Sequence, residues 1–134
     1  MRTVCSALSL AISMVLLGEQ AAAADKTEVV KFRPGAHSAT LKGSLRGYDG
    51  VTYVIGANAG QALSILFSPK NRSCYFNVTA PGAEEAVFNG SATGNEFSAN
   101  LDASGNYKAL VYLMRNAARR NETCQYSMTV EISG

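Results

Sequence analysis

The sequence has no tryptophan, a single histidine and three cysteines among its 134 residues. One histidine, His37, without neighbouring cysteines gives no cluster with metal-ligand spacing, so we expect no metal and no cofactor. A Ser-His-Asp nucleophile would have to use His37, and no serine lies in a Gly-x-Ser-x-Gly elbow. The adjacent Glu84 and Glu85 would point to opposite faces of a strand, which suits a catalytic carboxylate pair poorly. The sequence therefore predicts a protein that is not an enzyme.

Charge is also sparse, because only 16% of the residues are charged and the net charge is +2. The predicted leader contains one residue of each sign, Arg2 and Glu19, so its removal leaves this balance unchanged. Such a weak overall field does not favour binding to nucleic acid or to a membrane surface.

The apolar run Ala7 to Gly18 is too short for a good membrane span. It follows the basic Arg2 and precedes the small residues Ala21 to Ala24, which is the order found in a cleavable export signal. We predict a signal peptide over residues 1–24, a single domain over 25–134, and no membrane insertion after cleavage. An uncleaved anchor is the alternative.

Alternation of apolar and polar residues dominates the rest of the chain. Over Gln125 to Ile132, the apolar Tyr126, Met128, Val130 and Ile132 alternate with polar residues, as in a strand with one packed face. Similar patterns recur about every ten residues between turn signals, and no segment keeps a helical period, which predicts an all-β sandwich or barrel.

Individual elements can be placed along this pattern. The first strand is predicted over Glu28 to Arg33, before the Pro34-Gly35 turn. The run Tyr107 to Met114 is apolar on both faces, so we expect it at the centre of a sheet. Good helix formers over Asn116 to Asn121 allow a helix of about one or two turns.

Two cysteines remain after the leader and its Cys5 are removed. An exported protein meets an oxidising compartment, where two such thiols usually pair. Cys74 shares its strand face with Phe76, and Cys124 shares its face with Tyr126, so both thiols are expected to point inward. We predict a Cys74–Cys124 disulfide between the fifth strand and the last, with two free buried thiols as the alternative.

The most basic stretch is residues 112–122, which contains Arg115, Arg119 and Arg120. It could be a solvated loop that only keeps the protein soluble. Alternatively, its guanidinium groups bind carboxylates or phosphates, because loops at the ends of β-sandwiches commonly carry binding sites. The turn Gly47-Tyr48-Asp49-Gly50 would complete such a patch if the strands bring the two segments together.

Short motifs are spread along the chain: Tyr48-Asp49-Gly50-Val51-Thr52-Tyr53, Ala59-Gly60-Gln61-Ala62-Leu63, Pro81-Gly82, Ser104-Gly105-Asn106-Tyr107 and Tyr126. Together they resemble bacterial pre-peptidase C-terminal-type modules, which implies an antiparallel, jelly-roll-like β-sandwich of about 8–9 strands. With the run Leu113-Met114-Arg115-Asn116-Ala117-Ala118-Arg119-Arg120-Asn121-Glu122, the chain also resembles the periplasmic inhibitors of g-type lysozyme from Gram-negative bacteria.

The second resemblance implies a periplasmic protein whose partner is a host g-type lysozyme and whose loops block the muramidase cleft. It implies that Arg115 and Arg119 enter the cleft, that Tyr48 makes a contact from the second loop, and that Asp49 is a partner or orients its loop. Arg120 either contacts the lysozyme or supports the loop from behind. We expect a monomer or a weak homodimer.

Two other functions compete with inhibition. A periplasmic carbohydrate- or cell-wall-binding module would stack exposed aromatic rings on sugars. The absence of tryptophan, and the position of most tyrosines and phenylalanines on apolar strand faces, weaken this alternative. The other is an accessory periplasmic protein without activity towards lysozyme.

Overall fold

The computed structural model describes residues 23–134, so nearly all of the predicted leader lies outside the described residues. The elements follow in the order β1 (Asp25–Val29), β2 (Ser38–Arg46), β3 (Gly50–Ala57), β4 (Ala62–Pro69), β5 (Cys74–Thr79), β6 (Ala86–Asn89), α1 (Gly90–Thr93), β7 (Glu96–Asn100), β8 (Gly105–Leu113), α2 (Arg115–Arg119) and β9 (Thr123–Ser133). Neither helix in this part of the chain is long and apolar enough to cross a membrane.

The strands form two sheets that pack face to face. The first sheet has the order β1-β3-β8-β5-β6, and the second has the order β2-β9-β4-β7. Neighbouring strands are antiparallel, except that β1 runs parallel to β3. The expectation of a β-sandwich of about 8–9 strands is therefore confirmed, with nine strands among the described residues.

Alternate side chains of the strands fill the space between the sheets. The predicted central position of β8 is confirmed, and its inward-facing Ala109 and Val111 are fully buried. Its outer face is not covered, because Leu110 remains 39% exposed there. Both faces of β8 carry apolar side chains, but only the inner face is buried, and the outer face stays accessible to solvent.

A pair of tyrosines joins the two sheets through the core. The hydroxyl oxygens of Tyr53 in β3 and Tyr126 in β9 lie 2.7 Å apart, and their rings meet edge to face. Burial raises the pKa of both hydroxyls, so both remain neutral and share one hydrogen bond. Gly43, opposite Tyr126 in β2, leaves room for the Tyr126 hydroxyl, which a Cβ at that position would meet.

We expect Tyr126→Phe to lower the free energy of unfolding by about 1–2 kcal/mol, because it leaves the Tyr53 hydroxyl buried without a partner. The double variant Tyr53→Phe/Tyr126→Phe removes both hydroxyls, and we expect it to recover part of this loss. Urea unfolding followed by circular dichroism measures both values. A single variant as stable as the wild type would show that the hydroxyl pair does not stabilise the fold.

The predicted bounds of the first strand, Glu28 to Arg33, are wrong. The strand β1 pairs with β3 from Asp25, opposite Gly50, to Val29, opposite Val54. A distant partner thus sets its ends, which the local sequence does not reveal. The short helix expected near Asn116 to Asn121 is present as α2, shifted towards the N-terminus.

Candidate functional site

Three connections between the sheets meet at one end of the sandwich, which we call the arginine end. They are the tyrosine turn (residues 47–49), the β4–β5 loop (residues 70–73) and the arginine loop (residues 114–122). The strand register places them side by side, since Arg46 pairs with Thr123 at the ends of β2 and β9. On the other sheet, Cys74 pairs with Leu113 at the start of β5 and the end of β8.

The arginine loop is built around α2. Ala117 and Ala118 of this helix are buried in the core, which anchors it. Arg115 and Arg119 are exposed and four residues apart, so they share one face of the helix. Among residues 23–134, the structure forms no ion pair with either guanidinium group within 4.0 Å. The helix therefore presents two positive charges that the fold itself does not neutralise.

Arg120, unlike Arg115 and Arg119, forms an ion pair within its own loop. Its Nη2 and Nε lie 2.6 Å and 2.7 Å from Oε2 of Glu122. The other carboxylate oxygen of Glu122 accepts a hydrogen bond of 3.0 Å from Nδ2 of Asn71. The hydrogen bonds from Asn71 and Arg120 lower the pKa of Glu122, so its carboxylate stays ionised near neutral pH. This geometry favours Arg120 as a support of the loop.

The tyrosine turn is tied directly to the arginine loop. The Gly47 amide donates to the Glu122 carbonyl at 2.9 Å, and Arg46 Nε donates to the Asn121 carbonyl at 3.3 Å. With its amide oxygen turned towards Arg46, Asn121 also accepts from Nε and Nη2 at 3.1 Å and 3.0 Å. The two segments are therefore neighbours, which is the condition under which the tyrosine turn completes the basic patch. The role of Arg46 was not foreseen, because it reads as an ordinary polar strand residue.

A substitution at Gly47 tests how closely the tyrosine turn packs against the arginine loop. The φ of Gly47 is +60°, and a Cβ there would lie 2.7 Å from the Asn121 side chain. Gly35, at the opposite end, has a φ of +78° with nothing within 4 Å. Alanine strains the backbone at both sites but causes a clash only at Gly47. We therefore expect Gly47→Ala to lower the free energy of unfolding by about 1–3 kcal/mol more than Gly35→Ala does. Equal losses in urea unfolding would contradict the close packing of the two segments.

The tyrosine turn carries the other two predicted contact residues. Tyr48 is 58% exposed, so its ring is free for a partner. Asp49 Oδ1 accepts a hydrogen bond of 2.8 Å from the Ala24 amide, and the Ala24 carbonyl accepts one of 3.1 Å from Gly50. While Ala24 is present, Asp49 orients the chain that leads into β1. The predicted cut after Ala24 would remove this donor and leave the carboxylate without it.

The predicted disulfide is confirmed. Cys74, the first residue of β5, is bonded to Cys124 near the start of β9, with their Cα atoms 6.2 Å apart. Both residues are buried, as the parity of their strands predicted. The bond therefore links the two sheets at the base of both the β4–β5 loop and the arginine loop.

The β4–β5 loop was not singled out from the sequence, where it reads as a turn that ends a strand. In the structure it is bonded to both flanking segments. The Lys70 amide donates to the Gln125 carbonyl at 2.8 Å, and the Met114 amide donates to the Ser73 carbonyl at 2.8 Å. Asn71 Nδ2 reaches the Thr123 carbonyl at 3.2 Å. The three connections thus form one continuous braced surface.

The charges at this end are mostly positive. The basic side chains are Arg46, Lys70, Arg72, Arg115, Arg119 and Arg120, and the acidic ones are Asp25, Asp49 and Glu122. Other acidic residues, including Glu84, Glu85 and Asp102, lie in connections at the opposite end. Basic side chains therefore outnumber acidic ones at the arginine end, which suits an acidic group on a partner.

The two sheets and their loops define a small β-sandwich domain, and a solved structure shares this fold. The pre-peptidase C-terminal domain of a Bacillus anthracis collagenase matches 81% of the chain with a TM-score of 0.57, covering 96% of that domain at 19% identity. That likeness concerns the fold alone. No family model matches the sequence.

Two relatives define the family. A curated inhibitor of g-type lysozyme from Escherichia coli (strain K12) is 33% identical over 127 residues, which cover 89% of this chain and 90% of the relative. The crystal structure of Aeromonas hydrophila PliG, a periplasmic lysozyme inhibitor of g-type lysozyme, matches with a TM-score of 0.77 at 40% identity, over 84% of this chain and all of that one. The chain belongs to the family of g-type lysozyme inhibitors. It is a periplasmic protein and not an enzyme.

Proposed function

We propose that this protein inhibits g-type lysozyme by inserting the exposed face of α2 into the muramidase cleft. The observation that carries the proposal is the pair of exposed guanidinium groups of Arg115 and Arg119, on one face of a helix that is braced from both sides. Kinship with inhibitors of g-type lysozyme supports the choice of partner.

The chemistry of the cleft explains why arginine is suited to this task. Glycoside hydrolases generally cleave with carboxyl groups next to the scissile bond. A guanidinium group binds a carboxylate through two parallel hydrogen bonds and keeps its charge when water is excluded. Such a contact fills the space of the substrate. It also lowers the pKa of the carboxyl group, which then no longer serves as a general acid.

The braces around the loop support this function energetically. Binding is weakened when side chains and loops must be ordered on association. Here Arg120, Glu122 and Asn71 hold the loop before any partner arrives. Tyr48 lies on the adjacent turn and adds an exposed aromatic ring, a type of residue that often anchors interfaces. Asp49, on the same turn, contacts the lysozyme or orients the turn once the predicted cleavage has removed its Ala24 donor.

The test is a lysis assay with purified mature protein and lysozymes of the g, c and i types. We expect micromolar protein to stop cell-wall lysis by the g-type enzyme. Unaffected g-type lysis at micromolar excess would overturn the proposal. Inhibition of all three types to the same degree would contradict a specific fit to the g-type cleft.

A further inference from the structure

We propose that the β4–β5 loop is a third contact element for the same lysozyme, with Arg72 binding a carboxylate on the rim of the cleft. The inference rests on the proposed function, because it extends the same interface. It adds a contact from a segment whose sequence gives no sign of a binding role.

The local geometry places Arg72 at the tip of a tight turn. Asn71 Oδ1 accepts a hydrogen bond of 2.9 Å from the Ser73 amide, and the Cys74 amide donates to the Asn71 carbonyl at 3.2 Å. In such a turn the residue after the asparagine lies at the corner, away from both bonds. Arg72 is exposed accordingly.

The turn cannot easily rearrange, since it is fixed on both sides. Asn71 donates to the Glu122 carboxylate at 3.0 Å, and the disulfide begins at Cys74. A side chain on a fixed backbone loses less freedom on binding than one on a mobile loop. Arg72 is therefore held on a fixed backbone before binding, as are the arginines of α2.

The turn also lies next to the proposed site. The hydrogen bond of 2.8 Å from the Met114 amide to the Ser73 carbonyl joins the two loops. Arg72 precedes one partner of this bond and Arg115 follows the other, so the two arginines stand on adjacent segments. Met114, which precedes Arg115, is 39% exposed and offers apolar contact area.

Charge identifies the group that Arg72 would bind. Within residues 23–134, Arg72 forms no ion pair within 4.0 Å. Its neighbours at this end are mostly basic, so binding an anionic group there relieves repulsion among like charges. On a protein partner, that group is the carboxylate of an aspartate or glutamate.

The experiment compares inhibition constants for Arg72→Ala, Arg72→Glu and the wild type. Arg33, exposed in the β1–β2 connection at the opposite end, supplies the matched controls Arg33→Ala and Arg33→Glu. We expect Arg72→Ala to raise the inhibition constant about tenfold and Arg72→Glu about 100-fold, while the controls change it less than about threefold. The melting temperature of Arg72→Ala should stay unchanged, because its side chain forms no ion pair within 4.0 Å among residues 23–134.

The outcomes separate the two proposals. If the wild type inhibits and both Arg72 variants are as potent, the third contact is wrong and the proposed function stands. If Arg33→Glu weakens inhibition as much as Arg72→Glu, overall charge explains the effect and the specific contact is also wrong. If the wild type itself fails to inhibit, both proposals fall.

Discussion

Arg115→Ala and Arg119→Ala are each expected to raise the inhibition constant for g-type lysozyme by at least about 30-fold. Removing one partner of a buried, hydrogen-bonded ion pair costs about 2–5 kcal/mol, and each 1.4 kcal/mol is about tenfold in affinity. Neither side chain has an ion-pair partner within residues 23–134, so the free protein should keep its stability. Inhibition titrations and urea unfolding together measure the two effects.

Two further variants, Arg115→Lys and Arg120→Ala, refine this expectation. Arg115→Lys keeps the charge but loses the planar fork, so we expect an inhibition constant between those of the wild type and the alanine variant. Arg120→Ala removes the bond to Glu122 and should weaken inhibition through a looser loop, with a loss of stability that the other two variants do not show. Wild-type potency in both Arg115→Ala and Arg119→Ala would place the site elsewhere.

The second large effect is expected on stability. Replacing both Cys74 and Cys124 with alanine should lower the free energy of unfolding by about 4 kcal/mol, because the bond closes a loop with a sequence separation of 50 residues. Urea unfolding of the variant, and of the wild type with and without reductant, measures this loss.

The same variant should also lose inhibitory strength. The disulfide lies at the base of both the β4–β5 loop and the arginine loop, so its removal loosens their mutual position. The inhibition assay must use a temperature at which circular dichroism shows the variant to be folded. A variant within about 1 kcal/mol of the wild type and equally potent would contradict the role of the bond as a fixed base for the loops.

Much of the fold follows from local patterns in the sequence. The alternation over Gln125 to Ile132 predicted a half-buried strand, and β9 has that burial pattern. Strand parity also predicted the inward direction of Cys74 and Cys124. The parallel pairing of β1 with β3 could not be predicted, because it depends on which distant strand supplies hydrogen bonds to an exposed segment.

In the site, too, features set by the local sequence could be predicted, whereas features set by distant pairing could not. The arginine loop and the tyrosine turn were recognisable because each concentrates unusual residues in a short run. Asn71 was missed because its role depends on Glu122, 51 residues away, which only the strand register brings close. The sequence left two roles open for Arg120, because it does not show whether this side chain turns towards the nearby Glu122 or towards a partner. The structure shows the bond to Glu122.

The cell-wall-binding alternative makes a different prediction. Such a module would be retained on purified peptidoglycan in the absence of lysozyme, whereas an inhibitor need not be. Tyr75 and Tyr112 are only partly exposed and lie against each other, with ring centroids 6.4 Å apart. Tyr48 alone offers a largely free ring among the tyrosines of residues 23–134. Retention on peptidoglycan with no effect on g-type lysis would favour the module.

Occlusion of the cleft is tested most directly by the mode of inhibition. Initial rates of g-type lysozyme on soluble peptidoglycan fragments are measured over a range of substrate concentrations at several fixed concentrations of the protein. If α2 occupies the cleft, the apparent KM rises with the concentration of the protein while kcat stays constant. A fall in kcat at unchanged KM would show that the protein binds outside the cleft, and would contradict insertion of Arg115 and Arg119.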